Sequence, residues 1–136
     1  MTEEVIPTTL DEAVTALLAF DGCADAMNEY EGDFTKFVGT YHHTVGRTIR
    51  NDWNLWLGCG ACPVEQAPLY YEFYRQGLRH PDDMSGVIMK AAWCKHFGLD
   101  YELGEDIATA QAYWAEMFQR QLNQITDAVE TVIAKY

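Results

Sequence analysis

Basic residues are scarce in this chain. Nine lysines and arginines face 21 aspartates and glutamates, for a net charge of −12 over 136 residues. A surface with that balance is repelled by nucleic-acid phosphates and by anionic lipid, so direct nucleic-acid binding and membrane attachment are not expected. No apolar run approaches the length of a membrane span. The opening "MTEEVIPTTLDE" is acidic, unlike a secretory signal or a transit peptide, which points to the cytoplasm. The four cysteines, at 23, 59, 62 and 94, are too few and too scattered for a small disulfide scaffold and should be reduced there. There is no glycine-rich phosphate loop, no βαβ pattern, no H-E-x-x-H and no internal repeat. Stretches of period two with β-branched residues are few, which argues against a sheet.

What remains is apolar and helical. Hydrophobic residues make up 49% and aromatics 13% of the chain, enough for one buried core. Charge is uneven. Residues 1–40 hold nine acids and one base (net −8), residues 41–100 six of each, and residues 101–136 six acids and two bases (net −4). The neutral middle reads as the heart of the molecule and the ends as acidic surface.

Local signals set the expected helices. Thr9 with Glu12 fits a capping box, and Leu10, Val14, Leu17 and Leu18 follow at helical spacing to about Phe20. Residues 21–32 read as irregular, with one turn around Asp25–Glu29. Asp33 caps a second helix whose stripe from Phe34 to Trp53 runs on to "GCGACP", a loop. Pro68 opens and Gly77 stops a short helix; Pro81 opens and Gly98 stops the next. A last helix covers 104–136, with Trp114, Phe118, Leu122, Ile125, Val129 and Val132 on one side. From Phe118 their spacing alternates four and three, a short heptad-like seam. The direct reading is a helix packed on its own core; a homodimer through residues 104–136 is the alternative. The sum is an all-α chain, a single compact domain over 1–136 with five or six helices and a long C-terminal one.

Three blocks are distinctive: "TTLDEAVTALLA" (8–19), "YHHTVGRTIRNDWNLW" (41–56) and "HPDDMSGVIMKAAW" (80–93). Together they resemble an uncharacterised family, of the domain-of-unknown-function kind, made of small bacterial and phage-associated proteins. The resemblance implies a compact, mainly helical core over 8–98 and carries no activity with it. "CGACPVEQAPLYYEFY" and the helix beyond residue 98 look like additions to that pattern. If the chain is phage-encoded, its place is the host cytoplasm.

Candidate chemistry centres on His42, His43, Arg47, Arg50 and Asn51 with His80, Asp82 and Asp83. As structure, Asp82 and Asp83 suit the first turn of a helix, where free N–H groups favour negative charge. Arg47 or Arg50 would then tie two helices together through those carboxylates. As a site, His43 or His80 would be the general base, Arg47 an anion binder, and His80, Asp82 and Asp83 metal ligands with a histidine of the second helix. Cys59-x-x-Cys62 supplies two thiolates where structural zinc takes four ligands; Cys23, Cys94, His42 or His96 would have to complete the set. The plain reading is a turn with reduced thiols and no cofactor. "LYYEFY" (69–74) has too many rings for one narrow face, so Tyr70, Tyr71 and Tyr74 are candidate partner anchors. Asp21, Asp25, Glu29, Glu31 and Asp33 form the acidic counterpart, suited to a basic protein partner. The leading expectation is an acidic protein-binding module, such as a phage-encoded inhibitor of a host nucleic-acid-binding or defence complex. The alternative is an enzyme or metal-binding protein built on the His/Arg/Asp set.

Overall fold

The computed structural model describes residues 5–135. Glu3 and Glu4 of the acidic opening, and the last residue of the 104–136 helix, lie outside them. The described residues fold as eight α-helices with one 3-10 turn: α1 Leu10–Leu18, α2 Cys23–Glu29, α3 Phe34–Tyr41, α4 Val45–Asp52, α5 Leu55–Cys59, the 3-10 turn Val64–Gln66, α6 Pro68–Arg75, α7 Pro81–Phe97 and α8 Leu103–Lys135. The all-α class and the long last helix hold. The count of five or six helices is corrected to eight.

Two causes explain the difference. The segment after residue 20 forms a true helix, α2, because Gly22 takes a positive φ of 79° that lets the chain reverse and restart. The single helix expected from Asp33 onward is three. Its apolar stripe is continuous, but the backbone breaks twice. The first break lies at His42–Thr44, where the guanidinium of Arg50 donates to the freed His42 carbonyl (3.1 Å). The second lies at Asn54, in the left-handed region (φ 59°), whose amide donates to the Gln66 carbonyl (2.7 Å). Tertiary partners satisfy the groups that an unbroken helix would have satisfied itself.

α7 is the axis of the body. Every other helix packs against it. It buries Met84, Val87, Ile88, Met89, Ala91, Ala92, Trp93 and Cys94, so it is covered on nearly all sides. Around it lie Leu17 of α1, Met27 of α2, Ile49 of α4, Leu55 of α5 and Leu69 and Phe73 of α6, all fully buried. Each such side chain stabilises the fold by roughly 1.5–3 kcal/mol relative to exposure. An aromatic cluster closes one end, with the Phe37 and Trp93 centroids 5.1 Å apart and Phe34 edge-on to Trp93 at 5.6 Å. Gly58 is needed where α5 meets α6: a Cβ there would lie 2.3 Å from the Tyr70 ring. No helix among the described residues is long and apolar enough to cross a membrane.

α8 departs from this pattern. None of its residues is buried. Its first three turns rest on the body through Leu103, Ile107 and Ala110. The turns beyond Trp114 extend into solvent. The expectation that the whole helix packs on its own core is therefore corrected for its distal half.

Candidate functional site

The His-Pro-Asp-Asp segment joins four helices at one junction. His80 is the N-cap of α7: its Nδ1 accepts from the Asp82 amide at 3.0 Å. Pro81 is buried at the first helical position, where its missing N–H leaves nothing unpaired. Asp82 reaches α4, its Oδ1 3.3 Å from Arg50 Nε. Asp83 reaches α8, accepting from Trp114 Nε1 at 2.7 Å. The His80 ring lies stacked on Trp114 (5.1 Å, 17°) and edge-on to Trp56 of α5 (5.5 Å, 81°).

Arg50 is the most committed side chain here. It is only 5% exposed. Besides Asp82 and the His42 carbonyl, its Nη1 donates to Ser85 Oγ at 2.8 Å, and that hydroxyl donates onward to the Asp82 carbonyl at 3.0 Å. A buried guanidinium with its donors spread over three partners holds a geometry more than it adds net stability. Gly46 is the enabling residue, since a Cβ there would sit 2.8 Å from Arg50 Nη1. His42 feels the same charge. Its pKa is held below the ordinary histidine value, first by burial and then by the guanidinium of Arg50.

The candidate residues are thus sorted. Arg50, Asp82, Asp83 and His80 meet at the junction; His43 and Arg47 are exposed, and no hydrogen bond or ion pair among the described residues links them to it. Ser85, Gly46 and Trp114 also belong to the junction, though the sequence alone does not single them out. The signals it does carry are Gly46 one turn before Arg50, Ser85 one turn after Asp82, and a tryptophan in α8. A groove of about 620 Å³ runs beside it between α3, α7 and α8. Its carboxylates are engaged, Asp82 with Arg50, Asp83 with Trp114 and Asp106 with Lys90 at 3.5 Å.

The remaining candidates separate by exposure. Asp21, Asp25, Glu29, Glu31 and Asp33 are all exposed, an acidic ridge along α2 and its flanking turns. Asp33 also caps α3, accepting from the Lys36 amide at 3.1 Å. Tyr70, proposed as a partner anchor, is 6% exposed and belongs to the core. Tyr71 is half-buried and donates to the Cys62 carbonyl; Tyr74 is exposed, with Arg79 over its ring at 3.7 Å. Helical spacing turns Leu69, Tyr70 and Phe73 inward together. Cys59 is exposed, Cys62 and Cys23 half-buried and Cys94 buried. Among the described residues no group of three or more His, Cys, Asp or Glu side chains is gathered as a metal cluster.

The root of α8 is held separately. Tyr101 donates to Asp106 at 2.8 Å, and its phenol pKa is pushed well above the ordinary range, first by burial and then by that bond. Gln111 donates to the Gly77 carbonyl at 3.3 Å. Past Trp114 the apolar residues face water. Phe118 is 62% exposed, Ile125 60% and Ile133 68%, with Leu122, Val129 and Val132 also exposed.

These features define a small all-α body that carries a projecting helical arm. The chain belongs to the family described as a domain of unknown function, DUF6794, whose model matches residues 6–96. That match spans residues 59–74, while α8 lies beyond it. No curated protein and no solved structure matches.

Proposed function

We propose that this chain is a non-catalytic binding module that acts by protein–protein contact, with the distal half of α8 as its principal docking surface. One observation carries the reading: Phe118, Leu122, Ile125, Val129 and Val132 form an apolar stripe at seam spacing that nothing in the body covers. Contiguous exposed apolar surface of this kind marks an interaction site. Burying it gains roughly 25 cal/mol per Å².

The junction supports the same reading. His80 Nδ1 holds the α7 cap, Asp83 holds α8, and Arg50 is divided among three partners. These side chains already have structural partners, and no cluster of three or more metal-ligating side chains is gathered among the described residues, so the enzyme or metal-site alternative has less behind it. The narrower reading, a phage-encoded inhibitor that occupies a basic nucleic-acid-binding or defence protein of the host, rests on the exposed acidic ridge. Steering by that ridge gives fast, salt-sensitive association.

Cross-linking and affinity purification of the full chain test these surfaces separately. Leu122→Glu should abolish recovery of a partner that docks on the arm. Reversal of Asp21, Asp25, Glu29, Glu31 and Asp33 to lysine should abolish recovery of one that docks on the ridge. A partner retained by the Leu122 variant and lost with the ridge would overturn the assignment to the arm.

A further inference from the structure

We infer that the occupant of the arm is a second copy of this chain, docked antiparallel across residues 115–132. The inference rests on the reading of α8 as a docking surface and names its partner. Ala115, Phe118, Leu122, Ile125, Val129 and Val132 are spaced three, four, three, four and three. That series is symmetric about the point between residues 123 and 124. Turned end for end, the seam maps onto itself. Leu122 then faces Ile125, Phe118 faces Val129 and Ala115 faces Val132, so the bulkiest ring meets a smaller side chain. A two-fold interface requires such self-complementarity of one patch.

Charge points the same way. The seam is bordered by Gln119, Gln121, Thr126 and Ala128, none of them charged. The acids of the arm, Glu116, Asp127 and Glu130, fall at helical positions away from the seam. Arg120 pairs with Glu116 at 2.6 Å on that outer face. A seam made for a basic helix would carry acids at its borders. This one is neutral there, in a chain of net charge −12, so a second copy meets no like charge across it.

Direction follows from the distribution of charge. Residues 115–136 hold three acids and two bases, net −1, which leaves −11 on residues 1–114. A parallel pair would bring two such bodies side by side. An antiparallel pair sets them at opposite ends of a seam roughly 27 Å long, beyond the screening length of about 8 Å at physiological salt.

The exposed seam offers only six side chains per copy, which places it toward the lower bound for a specific interface. The dimer is therefore a reversible one. Pairing also answers a local need, since most helical stability comes from packing of an apolar face rather than from propensity.

Sedimentation equilibrium of the full chain reads the proposal. The expected mass is twice the 15.5 kDa protomer at high protein concentration, falling toward one protomer on dilution. Ile125→Glu sets two carboxylates near the seam centre and should weaken association roughly a hundredfold or more; Asp127→Lys, on the outer face, should leave a dimer. A wild-type chain that stays monomeric at high micromolar concentration overturns the second-copy assignment. If Leu122→Glu then still loses a different protein partner, the docking reading stands without it; if it loses none, both fall. Spin labels at Lys135→Cys, in a chain with Cys23, Cys59 and Cys62 replaced by serine, report direction. Antiparallel pairing places them roughly 35 Å apart, and a short label-to-label distance overturns it.

Discussion

The two halves of α8 share one unbroken helix and nearly the same apolar periodicity, yet they do different things. Residues 103–114 lie on the body: Leu103, Ile107 and Ala110 pack on it, Tyr101 and Lys90 hold Asp106, and Trp114 meets His80 and Asp83. Between 118 and 133 the apolar side chains Phe118, Leu122, Ile125, Val129, Val132 and Ile133 are all exposed. The apolar series reads 103, 107, 110, 114, 118, 122, 125, 129, 132. Its steps of four and three are interrupted by three successive fours around Trp114 and Phe118. One extra residue in the alternation, equivalent to two successive four-residue insertions, rotates the stripe about the helix axis. The stripe that faces the body up to Trp114 therefore leaves its original face as the helix runs out. One helix thus carries two surfaces, one packed within the chain and one exposed.

The sharpest way to test that division is to make the same truncation in both places. Phe73 of α6 is fully buried and Phe118 is 62% exposed. Phe73→Ala should lower unfolding stability by about 3–5 kcal/mol, through lost transfer energy and a residual cavity. Phe118→Ala should change the stability of the monomer by less than about 0.5 kcal/mol. Chemical denaturation measured well below the association range would show both. A large loss for Phe118→Ala in the monomer would mean that the arm folds back on the body.

The next effect tests what holds the body's helices in register. Arg50→Met keeps bulk but removes the donors to Asp82, Ser85 and the His42 carbonyl. Asp82 is half-exposed and can return to water, so the loss should be about 2 kcal/mol, mostly from the stranded carbonyl and the altered packing. Arg50→Lys should recover little of it, because one ammonium cannot reach three separated acceptors as the fork does. Equal stability of wild type and Arg50→Met, by thermal or denaturant melting, would remove the junction from the account of how α4 and α7 are fixed.

Most helix ends were legible because they depend on local chemistry. Thr9 caps α1, accepting from the Glu12 amide at 3.2 Å; Pro68 and Pro81 open α6 and α7; Gly98 ends α7 with φ 68°. Even there one detail differs, since Glu12 reaches back to the Thr8 amide at 2.7 Å rather than to Thr9. What could not be read is what long-range partners decide. Nothing local in Phe34–Trp53 announces that Arg50 will take the His42 carbonyl, or that Asn54 will reach Gln66, so three helices read as one. The site is legible to a similar degree. The pairing of Asp82 with an arginine was among the readings, but the choice of Arg50 over Arg47 depends on which side of α4 meets α7, and Trp114 lies 31 residues from the aspartate it binds. Periodicity identified the stripe on α8. It carries no information on whether that stripe is covered.

The smallest effect locates the boundary between body and arm. Trp114 contributes its stack on His80 and its hydrogen bond to Asp83, and it sits where the stripe turns away. Aromatic pairing is worth about 0.5–1.5 kcal/mol beyond burial, and a hydrogen bond to a charged acceptor about 1.5–3 kcal/mol. Trp114 is 41% exposed, so both operate partly in water and their sum is reduced. Trp114→Ala should therefore lower the opening energy of the α8 root by about 1–2 kcal/mol while leaving the melting of α1–α7 nearly unchanged. Amide exchange distinguishes these: protection across 103–112 should fall, with that of α7 retained. If protection across 103–112 is unchanged, Leu103, Ile107 and the Tyr101–Asp106–Lys90 set suffice to hold the root, and the boundary lies nearer the start of the helix. If α7 loses protection as well, then α8 is part of the body's cooperative unit, and the arm begins only at Phe118.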